Sequence, residues 1–297
     1  MTKRTPFKIE AIDASFGAVV AGVSLRELDA SGFECLYEAW LEYALLIFPG
    51  QHLTREEQVA FARRFGPLEF DLAPISNVRS DGSLRSEHGD DTVVKILKGN
   101  MGWHCDSTYM PVQAKGAVFT AHVVPSSGGE TGWADMRAAY AALDAETQDR
   151  IRGLSALHSL YHSQAKLGYT PNVNGEGGAA RDPEGYSGYG FHDHGPPLRP
   201  LVKVHPETGR PSLLVGRHAY GIPGLDEAES EALLRDLCDF ACQSPRTYQH
   251  AWAPGDAVVW DNRCLLHRSI PWDMSEARVM LHSRIAGDPE SEFAPSP

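Results

Sequence analysis

His104 and Asp106 stand two residues apart in Asn100-Met101-Gly102-Trp103-His104-Cys105-Asp106-Ser107. On an extended strand, residues i and i+2 point to one face, so an imidazole and a carboxylate project side by side. That pair suits a divalent metal ion, but two ligands hold such an ion weakly. His267, in Trp260-Asp261-Asn262-Arg263-Cys264-Leu265-Leu266-His267, is the best third. Two His and one carboxylate on one face of an octahedral ion leave three positions open, as in non-haem Fe(II) oxygenase sites. A lone His-x-Asp arises often by chance. Its company gives it weight. Arg278 lies eleven residues after His267, Trp260 lies seven before it, and Gly128-Gly129-Glu130-Thr131 ends twenty-five residues after Asp106.

This set resembles the TauD/TfdA family of Fe(II)- and 2-oxoglutarate-dependent dioxygenases, from about Ala18 to Asp288. Asn-Met-x-Trp-His-x-Asp-Ser-Thr-Tyr-Met-Pro at 100–111 is similar to the branch acting on (S)-2-phenoxypropionate herbicides. So are Arg199-Pro200-Leu201-Val202-Lys203-Val204-His205-Pro206 and Val215-Gly216-Arg217-His218-Ala219. The resemblance implies that His104, Asp106 and His267 hold Fe(II), with 2-oxoglutarate in two open positions and O2 in the third. The co-substrate leaves as succinate and CO2, and hydroxyl is returned to the substrate; the redox chemistry belongs to the iron and its co-substrate. Arg278 then takes the far carboxylate of 2-oxoglutarate, being always charged and forked, and Thr131 adds a hydroxyl.

For substrate, the resemblance points to Asn100 and to the Arg217-His218 turn. Lys95 is either a carboxylate anchor in an apolar strand or a solvated residue on its outer face. Arg278, Met280, His282 and Arg284 alternate and should share a face. His282 stands where taurine dioxygenase has an Arg for its sulfonate, which disfavours a sulfonate here; it touches 2-oxoglutarate or substrate, or simply packs. Arg284 is either a second inward cation or faces solvent beyond a bulge. Trp103 and Trp260 read as rigid packing beside the ligands, and Cys105 and Cys264 as small buried packing residues.

Composition limits the alternatives. The 297 residues carry 27 Lys plus Arg against 39 Asp plus Glu, a net charge of −12, with no basic stripe. Nucleic acid is excluded as a partner, since phosphate contacts need clustered cations. The sequence has no run of eighteen apolar residues, so no segment is expected to span a bilayer, and Met1-Thr2-Lys3-Arg4-Thr5-Pro6 lacks the apolar core of a signal peptide. Five irregularly spaced cysteines fit a reducing compartment, so a cytoplasmic location is expected. Cys238 and Cys242 lack a second pair to complete a zinc site. The expected partner is a small carboxylate; homo-oligomerisation is left open.

The elements that must position these residues are mostly strands. Short strands are expected within 8–24, at 44–48, 93–97, 116–124, 201–204, 212–215, 257–260 and 279–285. Phe33, Leu36, Tyr37, Trp40 and Leu41 form one helix face, Thr54 and Glu57 a capping box, and Asp135, Asp144 and Asp226 further helix caps. Residues 169–197 are rich in Gly, Pro, Asn and Asp and read as a lid or binding loop; their His192-Asp193-His194 is discounted as a metal site. With no repeat and no linker, residues 1–297 read as one domain, an antiparallel β core with flanking helices. The family resemblance makes this a double-stranded β-helix, a cupin-like jelly roll.

The substrate expected is an aryloxyalkanoate, hydroxylated at the carbon bearing the ether oxygen. The product collapses to a phenol and an oxo acid. An N-substituted amino acid is the competitor, because the 172–183 tip of the loop departs from that branch. A zinc hydrolase on the same triad and a non-catalytic cupin-like binding protein are the other readings. A dicarboxylate clamp argues against the hydrolase.

Overall fold

The computed structural model describes residues 7–88, 91–169 and 194–297. β1 (Lys8–Ala11) and β2 (Ala18–Ala21) form an antiparallel pair. α1 (Ala30–Tyr43) opens at Asp29, whose side chain accepts from Gly32 N, and buries Leu36 and Trp40 on one face. β3 (Leu45–Phe48) is buried throughout. α2 (Arg55–Arg63) opens on the expected Thr54–Glu57 capping box, which satisfies two otherwise orphaned N–H groups. β4 (Leu68–Ser76) follows.

The 93–97 segment is not a strand. It belongs to α3 (Thr92–Gly99), capped by the Asp91 carboxylate, which accepts from Val93 N and Val94 N. Val94 and Leu97, three apart, are buried. Cap and one-sided burial outweigh the β preference of Val93, Val94 and Ile96, and Lys95 is thereby removed from the sheet.

The remaining elements are β5 (Gly116–Val123), β6 (Thr131–Asp135), α4 (Met136–Ala142), α5 (Ala145–Ile151), β7 (Ser155–His158), α6 (Leu160–Ala165), β8 (Leu198–Pro200), β9 (Val202–Val204), β10 (Pro211–Leu213), β11 (Ala219–Tyr220), α7 (Glu227–Ala241), β12 (Thr247–His250), β13 (Ala257–Asp261), β14 (Leu265–Ser269), β15 (Val279–Ile285) and α8 (Pro289–Glu292). Asp135, Asp144 and Asp226 cap helices as expected. β4, β6, β7, β8, β11, β12 and β14 lie outside the expected strands. β7, β8, β11 and β12 are four residues or fewer, β6 is buried throughout, β14 opens with three buried residues, and β4, nine residues long, is half-buried over most of its length. None shows the alternation that marks a strand in sequence.

Seven strands form the larger sheet, in the order β1-β2-β3-β13-β5-β15-β4; β12-β6-β14 form a smaller one. Pairing is antiparallel except between β2 and β3. Ala117, Phe119, Val258, Trp260 and Met280 of the larger sheet pack with Trp133 and Leu265 of the smaller. The alternate residues Val118, Val259 and Ile285 pack against α1 and α2. Ala134 and Leu266, on the far face of the smaller sheet, pack against α4 and α7. Two facing sheets with helices outside make a double-stranded β-helix, the expected jelly roll. No helix among the described residues is long and apolar enough to cross a membrane. Most of the 169–197 loop, with His192 and Asp193, lies outside the described residues; His194 is exposed.

Candidate metal centre

His104 and His267 are partners in an isolated antiparallel bridge. Each backbone N–H donates to the other's carbonyl, at 3.0 and 2.8 Å. Cross-strand partners present their side chains to one face, and the two rings lie 4.2 Å apart. The strand supplying His104 is that single bridge, so the i, i+2 rule alone does not aim Asp106. Asn262 does. Its Oδ1 accepts from Asp106 N at 2.8 Å, and its Nδ2 donates to the carbonyls of Asp106 and Ala114 at 2.9 Å each. Ser107 then turns the chain with a left-handed φ of 57°, uncommon for a residue with a Cβ.

The ligand atoms of His104, Asp106 and His267 all lie within 4.8 Å of one another, and all three residues are buried. Asp106 Oδ2 has no hydrogen-bond partner and lies 3.6 Å from His267 Nε2. His104 Nδ1 is 2.7 Å from the Gly102 carbonyl; a proton there leaves Nε2 as a free donor atom for metal. Burial, then the neighbouring His267, pushes His104 down to about 3; burial, then Arg284, does the same to His267. Burial alone would raise Asp106, but neighbouring charge, the Arg284 guanidinium foremost, outweighs it and holds the carboxyl below its ordinary value. Two neutral imidazoles and one anionic oxygen are the protonation states a divalent metal requires.

Arg278 supplies the second set of orphaned atoms. It is 1% exposed, its Nε donates to the Gly129 carbonyl at 2.9 Å, and Nη1 and Nη2 have no partner. Burial, partly offset by Glu130, lowers it to about 10, which leaves it charged at neutral pH. Gly129 permits the approach: at φ +73°, a Cβ there would stand 3.1 Å from Arg278 Cδ and Nε. A buried fork with both ends unpaired is a cradle for a carboxylate. Thr131 Oγ1, the other expected co-substrate contact, accepts from Trp252 Nε1 at 3.0 Å and lines the same cavity as the metal ligands.

That cavity, about 40 Å³, is lined by the triad with Ile75, Asn100, Phe119, Thr131, Trp260, Arg268, Ser269 and His282. Asn100 and His282 therefore join the triad. His282 stacks on Trp260, and its unpartnered Nε2 lies 3.6 Å from Asp106 Oδ2. Burial, then Arg284, lowers it to about 3. Lys95, Arg217 and His218 do not line this cavity. Lys95, half-buried on α3, holds its Nζ 4.6 Å from the centre of the Tyr169 ring. His218 is buried behind His104, its ring 5.8 Å away and its Nδ1 2.9 Å from Ser163 Oγ. Arg217 Nη2 donates to the Ser163 carbonyl and Gln164 Oε1, and Arg217 lines a separate cavity of about 740 Å³ with Gly99, Gly102 and Trp103. Asn262, Arg268 and Ser107 were missed by sequence reasoning. Arg268 lies against the Trp103 ring, 4.5 Å from its centre. Position offered a signal for Ser107 and Arg268, which directly follow Asp106 and His267, and a weaker one for Asn262, five residues ahead of His267.

Residues 8–284 match the taurine catabolism dioxygenase TauD, TfdA family. The chain is 67% identical over 289 residues to the (S)-phenoxypropionate/alpha-ketoglutarate-dioxygenase of Sphingobium herbicidovorans, covering 97% of this chain and 98% of that one. It is 55% identical to the protein of the same name from Delftia acidovorans, over 98% and 99% of the two chains. Among solved structures, the crystal structure of AAD-2 in complex with Mn(II) and N-oxalylglycine matches at a TM-score of 0.84 and 36% identity, over 95% of this chain and 97% of that one. Fold, site and kinship define an alpha-ketoglutarate-dependent dioxygenase. The chain belongs to the TauD/TfdA family, in agreement with the resemblance read from 100–111 and 199–218.

Proposed function

We propose that the chain uses Fe(II), 2-oxoglutarate and O2 to hydroxylate an aryloxyalkanoate, (S)-2-phenoxypropionate being the compound to test first. The activity for which these relatives are named supports the substrate class. The observation that carries the chemistry is the unpartnered, buried Asp106 Oδ2 beside two His; the buried Arg278 fork, both of whose ends lack a partner, supports a carboxylate co-substrate. His104, Asp106 and His267 would hold the metal, which with 2-oxoglutarate supplies the oxidant when bound. Arg278 and Thr131 orient the co-substrate by its distal carboxylate. Ile75, Phe119 and Trp260 wall the cavity with apolar surface and keep water from the reacting carbon.

A cavity of about 40 Å³ holds about three waters, at 10–15 Å³ for each. The aryl group therefore needs other space. The neighbouring 740 Å³ groove is lined by Gly99, Gly102 and Trp103, while Asn100 and His104 line the metal cavity. The 99–104 segment is thus their common wall. We place the aryl group in the groove, Arg217 on the substrate carboxylate, and Asn100 and His282 near the reacting carbon. His218 acts behind His104, and Lys95 acts through Tyr169. A hydroxyl placed on the ether carbon gives a hemiketal or hemiacetal, which releases a phenol and an oxo acid. A reducing, cytoplasmic compartment fits five cysteines that are all free.

The test is a paired assay with (S)-2-phenoxypropionate and an N-acyl amino acid, following phenol and succinate together. Phenol matching succinate is expected for the first acid. Succinate without phenol, with a hydroxylated amino acid in its place, would move the assignment to N-substituted amino acids.

A further inference from the structure

Arg284 is 1% exposed and points inward. The register shift between β15 and β4 assigns His282 to Ala73 but Arg284 to Phe70. The extra residue falls on β4, so β15 keeps its alternation and Arg284 keeps the face of His282. Glu69 and Phe70 are carried with it: Arg284 Nε is 3.9 Å from Glu69 Oε2, and the guanidinium carbon is 4.9 Å from the centre of the Phe70 ring. The other donors turn towards the metal ligand. Nη2 donates to Asp106 Oδ1 at 2.8 Å, and Nη1 donates to Ser107 Oγ at 3.2 Å.

The two oxygens of Asp106 are therefore unlike. Oδ1 is engaged by a buried cation, while Oδ2 has no hydrogen-bond partner and faces His267 and His282. A carboxylate free to rotate can take a metal through both oxygens and occupy two positions. One held at Oδ1 offers only the other. Three protein ligands leave three positions on an octahedral ion only if the carboxylate takes one. We propose that Arg284 is the positioning residue of this centre: by holding Oδ1 it restricts Asp106 to single-oxygen coordination through Oδ2 and keeps the co-substrate's positions open.

This inference rests on His104, Asp106 and His267 being the metal ligands. Co(II) is the probe, since its d–d absorption reports both occupancy and coordination number. The metal-free full chain, Arg284→Met and Arg284→Lys are titrated with Co(II), with and without 2-oxoglutarate, after thermal melts show each to be folded. Arg284→Met is expected to bind Co(II) about 10- to 100-fold more weakly, the usual cost of losing a partner of a metal ligand. Its d–d band should differ in intensity from wild type, and 2-oxoglutarate should perturb it less. Arg284→Lys, which keeps the charge without the fork, should fall between. A folded Arg284→Met with the wild-type affinity and band overturns the proposal. If Arg284→Met does not fold, Arg284→Lys decides: a band and affinity equal to wild type overturn it, and a shifted band with affinity at least about threefold weaker supports it. Wild-type protein that takes up no Co(II) sinks the ligand assignment instead.

Discussion

Among the described residues, two buried clusters have the composition of a metal site. One is His104, Asp106 and His267; the other is His205, Asp261 and Cys264. In the second, the polar atoms of His205 and Asp261 are already occupied. His205 Nδ1 accepts from the backbone N–H of Glu207 and Thr208, at 3.2 and 3.1 Å, so Nε2 donates to Asp261 Oδ2 at 2.9 Å. Arg263 covers the rest of the carboxylate, with Nε on Oδ1 at 2.8 Å and Nη2 on Oδ2 at 2.7 Å. Burial pushes the Cys264 thiol well up, away from the thiolate a metal would need. In the first cluster, Asp106 Oδ2 and His267 Nδ1 are unpartnered. Residue type does not separate a metal centre from a structural knot; the polar atoms left unsatisfied in the protein do.

The sharpest way to break that contrast is to empty each cluster in turn. His267→Ala, His104→Ala and Asp106→Ala should each bring metal per chain and turnover close to zero. His205→Ala should leave metal content at the wild-type level and lower the melting temperature instead. It strips a hydrogen bond from a buried carboxylate, a loss of about 1.5–3 kcal/mol. Metal analysis and melts on the same preparations read both. Metal lost from His205→Ala but kept by His267→Ala would exchange the two assignments.

The next effect in size concerns Arg278. Arg278→Ala leaves a buried carboxylate without its charged partner, which costs about 3–5 kcal/mol. The 2-oxoglutarate requirement should rise on the order of 10²- to 10⁴-fold. Arg278→Lys should recover part of it, since an ammonium has no fork. An unchanged 2-oxoglutarate titration for Arg278→Ala would falsify the assignment.

The third contrast is in pH. His104, His267 and His282 are pushed to about 3, by burial first, against about 6.5 in an unfolded chain. Between those values the unfolded chain binds more protons. The stability these residues contribute is therefore present above about 6.5 and lost as pH falls towards 3. Each contributes up to about 1.4 kcal/mol per pH unit in that window. The metal-free chain should melt progressively lower from pH 7 to pH 5, and His282→Phe should flatten that slope. A melting temperature flat over that range would show that burial does not hold these imidazoles neutral.

What the sequence made legible follows from how locally each feature is encoded. His104 and Asp106 stand together in one short run, whereas His267, Arg278 and Thr131 are distant in sequence and were named on the family resemblance; the structure gathers the triad and Thr131 around one cavity. The Thr54 and Asp226 caps were readable because side chain and N–H lie within one helical turn. The strand expected at 93–97 failed because Asp91, just outside the run, supplies a cap that the apolar composition does not reveal. β6 and β14, which carry Thr131 and His267, escaped notice because burial on both faces removes period-two alternation. Arg284 had two open readings, and a bulge in β4 decided between them. That bulge lies more than two hundred residues earlier in the chain, where no local pattern in β15 could report it.

The smallest expected effect separates two cations read from sequence as substrate anchors. Arg217 lines the 740 Å³ groove, and its Nη1 stands so close to Gly99 that a Cβ there would come within 2.7 Å. Lys95 faces the Tyr169 ring from α3. If the substrate carboxylate meets Arg217, then Arg217→Met removes one charge-assisted bond, about 1.5–3 kcal/mol. KM for (S)-2-phenoxypropionate should rise on the order of 10- to 100-fold, with the 2-oxoglutarate KM unchanged. Lys95→Met removes a cation–π contact, about 0.5–1 kcal/mol, and no proposed bond to substrate, so its KM should rise by no more than about fivefold. Both KM values, measured for both co-substrates on the two variants, read the difference. Lys95→Met losing substrate affinity while Arg217→Met keeps it would return the anchor to α3 and take the aryl group out of the groove.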